Sequence, residues 1–131
     1  MPLVRIDLNG ARDAAHLAAL SDAIQSAMVE TIGIPADDRF HLFSTGSARV
    51  YDRAYLGIAR SDDVMFVEIT LRGGRTAEQK KRLYAEIAKR AGAAAGVAPA
   101  DVFIALHENG AGDWSFGNGE MQYAHMLEVQ R

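Results

Sequence analysis

Two long segments with helical periodicity each lie between two short apolar segments, and this repeated order constrains the fold more than any other feature of the chain. In the first unit, alternation of polar and apolar residues predicts a strand over residues 3–8. Apolar residues spaced three and four apart predict a helix that is capped by Asp13 and runs to about Thr31. Gly33 ends this helix, and a second strand is predicted over about residues 39–44.

The second unit repeats this order. It starts with the strongest strand pattern of the chain, residues 64–71, which is apolar enough to lie centrally in a sheet. Thr76 and Gln79 have the spacing of a capping box, so we expect a helix from there to about Ala95. A last strand is predicted over residues 102–106, and a glycine-rich tail follows it.

This order predicts an α/β fold with two β-α-β units in a single domain, residues 1–131. The repeats lie at about residues 1–50 and 60–110, and the connection 45–63 is expected to be a loop with a short helical turn. We expect a four-stranded sheet, mainly parallel or mixed, with two long helices. Because two helices cover only one face of such a sheet, the other face needs a partner, and a homo-oligomer supplies it.

The composition excludes several classes of protein. Apolar residues make up 49% and charged residues 24% of the chain, the ordinary balance of a globular protein, and the net charge of −3 argues against nucleic-acid binding. There is no cysteine, no run long enough to span a membrane and no signal-peptide core in MPLVRIDL, so we expect a cytoplasmic chain without disulfides. The four histidines lack metal-ligand spacing, so no metal site is expected.

Pro2 is the first candidate for chemistry. Initiator methionine is normally removed before a small second residue, and the mature chain would then begin with a secondary amine. An α-amino group has an intrinsic pKa of about 7.7–8.0, which burial lowers and a neighbouring carboxylate raises. A free Pro2 amine is therefore able to act as base or acid at pH 7. The alternative is that proline follows Met1 by chance.

Arg72 and Arg75 flank two glycines between a strand and a helix N-terminus. Glycines let a ligand approach the backbone, the helix start adds amide donors, and a guanidinium binds a carboxylate through two parallel hydrogen bonds. This pattern predicts an anion site, and the alternative is an ordinary turn with solvated arginines. Asp38, before the second strand, either orients water and raises the pKa of a nearby amine or only starts a turn.

Four motifs, in order along the chain, resemble the tautomerase superfamily and, within it, the malonate semialdehyde decarboxylases. They are MPLVRIDL at the start, Pro-x-x-Asp-Arg at residues 35–39, Gly-Arg-Thr at residues 74–76, and Glu-Asn followed by Asp-Trp-Ser-Phe-Gly within residues 108–117. The likeness covers nearly the whole chain, and the last motif is its most specific part.

The resemblance implies a homotrimer of β-α-β repeats that uses its N-terminal proline for catalysis and needs no cofactor. Pro2 matches that catalytic proline, and Asp38 matches an aspartate that helps to activate water and to tune the proline. Arg75 matches a substrate-binding arginine, while Trp114 and Phe116 resemble an aromatic wall around the pocket.

The turn before the second helix departs from the family pattern. One form of the decarboxylase has two arginines separated by one residue, whereas here Gly73 stands two positions before Arg75 and Arg72 stands three positions before it. An Arg-x-x-Arg spacing resembles instead the cis-3-chloroacrylic acid dehalogenases. That branch also uses a histidine on the first helix and a glutamate in a longer tail, and neither can be placed in this chain, since His16 stands too early in the helix.

These residues and motifs together predict an enzyme that acts on small 2-oxo or β-keto acids, either as a decarboxylase-like lyase with hydratase chemistry or as a keto–enol tautomerase. Arg75, with Arg72, would hold the substrate carboxylate, and Asp38 would set the protonation state of Pro2. A cationic Pro2 suits decarboxylation or hydration, and a neutral Pro2 suits tautomerisation. The alternative from another class is a catalytically silent trimer that binds a carboxylate ligand.

Overall fold

The computed structural model describes residues 1–129, with side chains to residue 127, and contains the predicted order of strands and helices. The main elements are β1 (Leu3–Leu8), α1 (Ala14–Ile32), β2 (His41–Thr45), β3 (Met65–Arg72), α2 (Ala77–Ala95), β4 (Val102–Asn109) and a short α3 (Ala124–Val129). Single turns of 3-10 helix lie at Tyr55–Gly57, Pro99–Asp101 and Ala111–Asp113. The first of these is the helical turn expected between the units.

The four strands form one mixed sheet in the order β2-β1-β3-β4. Each β-α-β unit pairs its own two strands in parallel, with Val4 opposite His41 in the first unit and Val67 opposite Ile104 in the second. The two units meet through β1 and β3, which are antiparallel. The predicted α/β architecture is therefore confirmed, with β3 in the centre of the sheet as expected.

The two units match residue for residue along their helices. The N-caps Asp13 and Thr76 are 63 positions apart, and so are the C-cap glycines Gly33 and Gly96, because both helices contain 19 residues. Gly33 and Gly96 both adopt the left-handed conformation that favours glycine at this position. The paired strands keep the same offset, since Val4 and His41 correspond to Val67 and Ile104.

The core lies between the helices and one face of the sheet. Its strand residues alternate with outward-facing ones, as in Val4 and Ile6 of β1 or Val67 and Ile69 of β3. The helices contribute the apolar positions predicted from their periodicity, namely Leu20, Ile24, Ala27 and Met28 of α1 with Leu83, Ile87 and Ala91 of α2. Burial of this stripe supplies most of the stabilisation that the helices require.

No helix of the described residues covers the opposite face of the sheet. This face exposes Leu42 and Phe103 at 48% and 44%, but charged side chains stand among them: Glu68 lies opposite Arg5 on β1 and its carboxylate is 3.6 Å from His107 Nε2. The face is therefore mixed, with apolar and charged side chains next to one another. Apolar patches flanked by charges are typical of surfaces that meet a second chain.

The C-terminal part differs most from the sequence expectation. Strand β4 extends three residues beyond the predicted end because His107, Glu108 and Asn109 continue the pairing with β3. The tail contains α3, which is too short to show helical periodicity in the sequence. Among residues 1–129, no helix is both long and apolar enough to cross a membrane.

Candidate active site

The start of the chain is buried. Residues 1 and 2 lead into β1, one of the two central strands of the sheet, and both Met1 and Pro2 are shielded from solvent. Strand β1 pairs with β2, so the segment that precedes β2 is brought beside the N-terminus: Val4 N donates a 2.9 Å hydrogen bond to Phe40 O. Asp38, two residues before Phe40, therefore lies beside the N-terminus.

The terminal amine, which belongs to Met1, forms an ion pair with Oδ2 of Asp38. Burial and the nearby Arg75 guanidinium lower the pKa of this amine from its ordinary value of 8.0 to about 6. The Asp38 carboxylate opposes that shift, because a negative charge in contact with the amine favours the ammonium form. The amine is thus buried, in contact with one carboxylate and influenced by one nearby cation.

Pro2 lies directly beside this ion pair. While Met1 is attached, the Pro2 nitrogen belongs to an amide bond and cannot take up a proton. The Met1 and Pro2 nitrogens are separated by a single residue and are therefore no more than about 3.6 Å apart. A chain that begins at Pro2 would need only a small shift to bring its own amine into contact with the Asp38 carboxylate.

Arg75 lies between β3 and α2, directly before the N-cap Thr76. Its guanidinium is held by two carbonyls, donating to Arg72 O at 2.9 Å and to Ile32 O at 3.5 Å. Burial, together with the neighbouring Arg72, lowers the pKa of Arg75 below its ordinary value, although arginine remains charged at any physiological pH. No ion pair joins Arg75 to a carboxylate among the described side chains, so its charge is available to an anionic ligand.

Arg72 is close to Arg75 but is oriented towards the tail. Its Nη1 lies 3.2 Å from Sδ of Met126 in α3, and its Nε is buried without a hydrogen-bond partner among the described residues. A thioether is a weak acceptor. The two arginines therefore make one electropositive corner, and the Arg75 cation lowers the pKa of the terminal amine.

The two glycines between the arginines each have a structural reason. A side chain at Gly73 would meet Oε2 of Glu108 at 2.8 Å, and Gly74 has a φ of 118°, which other residues rarely adopt. Glu108 is itself paired with Lys80 of α2, and this contact lowers the pKa of Glu108 below its ordinary value. Gly73 thus lies against the end of β4, where its amide donates to Asn109 O at 2.9 Å, and Gly74 permits the turn that presents Arg75.

A pocket of about 230 Å³ opens beside the chain start. Its lining consists of Met1, Pro2, Leu3, Phe40, Trp114, Ser115 and Phe116. The rings of Trp114 and Phe116 are stacked, with centroids 5.4 Å apart and an interplanar angle of 11°. The aromatic pair expected from the sequence therefore forms a wall of the pocket, and Phe40 is an aromatic lining residue that sequence reasoning missed.

The tail motif has a structural explanation. Nε1 of Trp114 donates to Oδ1 of Asn109 at 2.8 Å, which fixes the indole against the end of β4. Oδ2 of Asp113 accepts from the Gly110 amide at 2.7 Å and closes the turn between them. Polar residues of the motif therefore hold the aromatic wall over the N-terminus.

The structure thus brings Pro2, Asp38, Arg75, Trp114 and Phe116 to one end of the sheet. Arg72 lies at the same end, with its side chain turned to α3. Within the described part of the chain, no group of three histidine or acidic residues is placed to hold a metal ion. The arrangement is suited to proton transfer at a buried amine, next to a cation that can bind a carboxylate.

Comparisons with known proteins agree on one family. Two models described as tautomerase enzyme match residues 2–45 and 38–117. The probable tautomerase YusQ of Bacillus subtilis (strain 168) is 43% identical over 124 residues, covering 93% of this chain and 98% of the relative. The fold consists of two β-α-β units, and the candidate site lies at the N-terminus. Together with these matches, they show that the chain belongs to the tautomerase family.

Solved structures of related proteins show which members of the family this chain is similar to. FG41 malonate semialdehyde decarboxylase, inhibited by 3-bromopropiolate, has a TM-score of 0.86 and 40% identity, with 95% of this chain and 96% of that chain covered. A wild-type fused 4-OT, described as a symmetric trimer, has a TM-score of 0.73 and 25% identity, with 90% and 94% covered. The chain is therefore similar to a decarboxylase of this superfamily over nearly its whole length.

Proposed function

We propose that this protein is a cofactor-free enzyme that uses the amine of Pro2, freed by removal of Met1, on small 2-oxo or β-keto acids. The observation that carries the proposal is the buried terminal amine of Met1, directly beside Pro2, which is ion-paired with the Asp38 carboxylate and near enough to the Arg75 cation for that charge to lower its pKa. Similarity to a malonate semialdehyde decarboxylase supports the same class of substrate.

Each group in the site has a role in this chemistry. Arg75 binds the substrate carboxylate, which places the substrate carbonyl against the Pro2 nitrogen. In its cationic form, Pro2 donates a hydrogen bond to the carbonyl oxygen, so that the electron pair of the breaking C–C bond forms an enol as CO₂ leaves, and the enol then takes up a proton at carbon to give the carbonyl product. In its neutral form, Pro2 removes a proton next to the carbonyl and gives it back at another atom, which is tautomerisation. Asp38 determines which form is populated at pH 7.

Substrate screening of a defined sample tests the proposal. Intact mass first establishes that the chain begins at Pro2, and turnover is then measured with malonate semialdehyde and with the enol of phenylpyruvate. 3-Bromopropiolate, the inhibitor of the FG41 decarboxylase, should inhibit the activity found. Binding of small carboxylates without turnover of either substrate would favour the catalytically silent carboxylate-binding protein instead.

Asp38→Asn should separate the two activities. Loss of the carboxylate removes the group that favours the ammonium form, so the pKa of the Pro2 amine falls by about one unit or more. We expect decarboxylase or hydratase turnover at pH 7 to be lost while tautomerase turnover is kept or increased. A nitrogen-15 NMR titration of Pro2, with pH–rate profiles, measures both effects. An unchanged pKa would show that Asp38 is only a turn residue and would favour simple tautomerisation.

We further propose that three copies of this single domain, residues 1–131, assemble as a homotrimer. Leu42 and Phe103 are half-exposed on the sheet face that no helix covers, and charged residues stand beside them. A fused 4-OT of similar fold is described as a symmetric trimer. In a closed ring of three chains, this face would be buried in every chain, and none would be left exposed.

Sedimentation should give the mass of three chains at micromolar concentration. Phe103→Asp places a carboxylate in the proposed interface and should shift the population towards single chains, because a buried unpaired charge costs several kcal/mol. Lys89→Asp, an exposed position on α2 at the other side of the molecule, serves as the control and should remain trimeric. A wild-type protein that sediments as a stable monomer would contradict the proposed assembly.

A further inference from the structure

Helix α1 buries two polar side chains on an otherwise apolar face, and they lie one turn apart. Gln25 is 2% exposed and Ser21 is 8% exposed, between core residues such as Leu20 and Ile24. Burying a primary amide is unfavourable unless it is hydrogen-bonded. The contacts of Gln25 therefore indicate why an amide is present at this position.

The Gln25 amide acts as a donor only. Its Nε2 donates to Asp38 O at 3.0 Å and to Ala36 O at 3.5 Å, whereas its Oε1 is buried without a partner among the described residues. Reversing the amide would place an oxygen against two carbonyl oxygens, so its orientation is fixed. Both N–H donors of the Gln25 amide are thus hydrogen-bonded, and its oxygen is not.

Those two carbonyls belong to the segment that carries Asp38. Residues 36–40 form no regular helix or strand, and their backbone is held at two other points. Asp38 N donates to Pro35 O at 3.1 Å, and Phe40 O accepts from Val4 N at 2.9 Å. Between these two points, Gln25 supplies hydrogen bonds from α1 to the carbonyls of Ala36 and Asp38.

We propose that Gln25 is a positioning residue that fixes the Asp38 segment so that its carboxylate stays against the N-terminal amine. The amine lies at the start of β1, the carboxylate precedes β2, and Gln25 joins the latter segment to α1. The amide thus holds Asp38 through its own backbone rather than through its carboxylate, which remains free for the amine. This inference rests on the proposed function only for the effect of Asp38 on Pro2.

The expected consequence follows from Coulomb's law. The interaction between the carboxylate and the ammonium group weakens as their separation increases. Without Gln25, the Asp38 segment moves more freely and the mean separation grows, so the ammonium form is less favoured. Of the charged groups near the amine, the Asp38 carboxylate in ion-pair contact favours the ammonium form, and the Arg75 cation disfavours it. The loss of Gln25 weakens the effect of Asp38 and leaves the effect of Arg75 unchanged.

The test compares Gln25→Met with Ser21→Ala in protein that begins at Pro2. Methionine has a similar length and no N–H donor, and Gln25→Leu is a second apolar variant in case methionine prevents folding. Ser21 is the matched control, because its Oγ lies 2.7 Å from His41 Nδ1 and accepts from Arg39 Nη1 at 3.3 Å, so it contacts the segment through a side chain and makes no hydrogen bond to the backbone of Asp38. The readouts are hydrogen exchange at the Asp38 amide and the Pro2 pKa from a nitrogen-15 NMR titration.

Removing the Gln25 amide should accelerate exchange at the Asp38 amide about tenfold or more and lower the Pro2 pKa by about half a unit. The shift should be in the same direction as that of Asp38→Asn and smaller. Ser21→Ala should leave both values unchanged. Wild-type exchange in both Gln25 variants, or equal changes in Ser21→Ala, would overturn the inference.

The two proposals fail in distinguishable ways. If Asp38→Asn leaves the Pro2 pKa unchanged, the tuning role of Asp38 is wrong, while hydrogen exchange still decides whether Gln25 holds the segment. If Asp38→Asn shifts the pKa and Gln25→Met does not, Asp38 is confirmed in its role and the positioning role of Gln25 is overturned.

Discussion

Pro2→Ala, in a chain that starts at residue 2, should lower kcat/KM by about 10²- to 10⁴-fold, the range that a positioned proton-transfer group contributes. Alanine keeps a terminal amine but makes it primary and frees it from the ring that fixes its orientation. Pro2 is fully buried at the start of β1, so its ring also sets where the nitrogen points. Steady-state rates, with intact mass to verify the first residue, measure the effect.

Two further samples make this result specific to the amine. Ser115→Ala removes a hydroxyl from the same pocket without touching the amine and should retain most activity. Protein that retains Met1 should be about as inactive as Pro2→Ala, because its Pro2 nitrogen is an amide and Met1 lines the pocket. Full activity with Met1 attached would contradict a role for the Pro2 amine. Circular dichroism should show the same fold in all samples.

Local signals in the sequence predict the fold well, because each helix boundary depends on residues adjacent to it. Asp13 accepts from His16 N and Thr76 forms its capping box with Gln79, as their spacing predicts. The end of β4 could not be predicted in this way. Its last three residues are polar and are ordered by pairing with β3, a contact between segments far apart in the sequence.

Prediction of the site is less complete for the same reason. Pro2 and Asp38 are 36 positions apart, and the parallel pairing of β1 with β2, expected from the β-α-β order, brings them together. Gln25 could not be identified, because a polar residue within an apolar helical face has no partner that is evident from the sequence. The orientation of Arg72 depends on α3, which the sequence did not reveal either.

The internal repeat provides a natural comparison for the site. Arg12 precedes the N-cap of α1 as Arg75 precedes that of α2, and Asp101 follows Gly96 by five residues, as Asp38 follows Gly33. The opposite end of the sheet thus has an arginine and an aspartate at corresponding positions. Their surroundings differ, and this difference supports the proposed site at the N-terminal end.

At the opposite end, both groups are already paired within the chain. Arg12 lies 3.8 Å from Asp63, and Asp101 accepts hydrogen bonds from the amide and the hydroxyl of Ser61 at 2.8 and 2.6 Å. Residue 65, which corresponds to Pro2, lies within β3 and has no free amine. Satisfied charges do not bind a further anion strongly, so only the N-terminal end combines an available guanidinium with an amine.

Arg75→Ala should therefore raise KM strongly and lower kcat/KM by about 100-fold, because a lost charge-assisted contact costs roughly 3 kcal/mol in a desolvated site. The fold should remain intact, since Arg75 donates only to two backbone carbonyls. A second effect follows from electrostatics: the Arg75 cation lowers the pKa of the terminal amine, so its loss should raise that pKa. The acid limb of tautomerase turnover should then move to higher pH.

Arg12→Ala is the matched control, because it removes a guanidinium from the corresponding position of the first unit. It breaks the ion pair with Asp63, a partly exposed contact worth about 1 kcal/mol or less, and should leave KM and the pH profile unchanged. Arg72→Ala should have an intermediate effect, since its Nη1 is directed to Met126. Equal, negligible effects of Arg72→Ala and Arg75→Ala would show that the turn is a solvated surface feature and that the substrate carboxylate binds elsewhere.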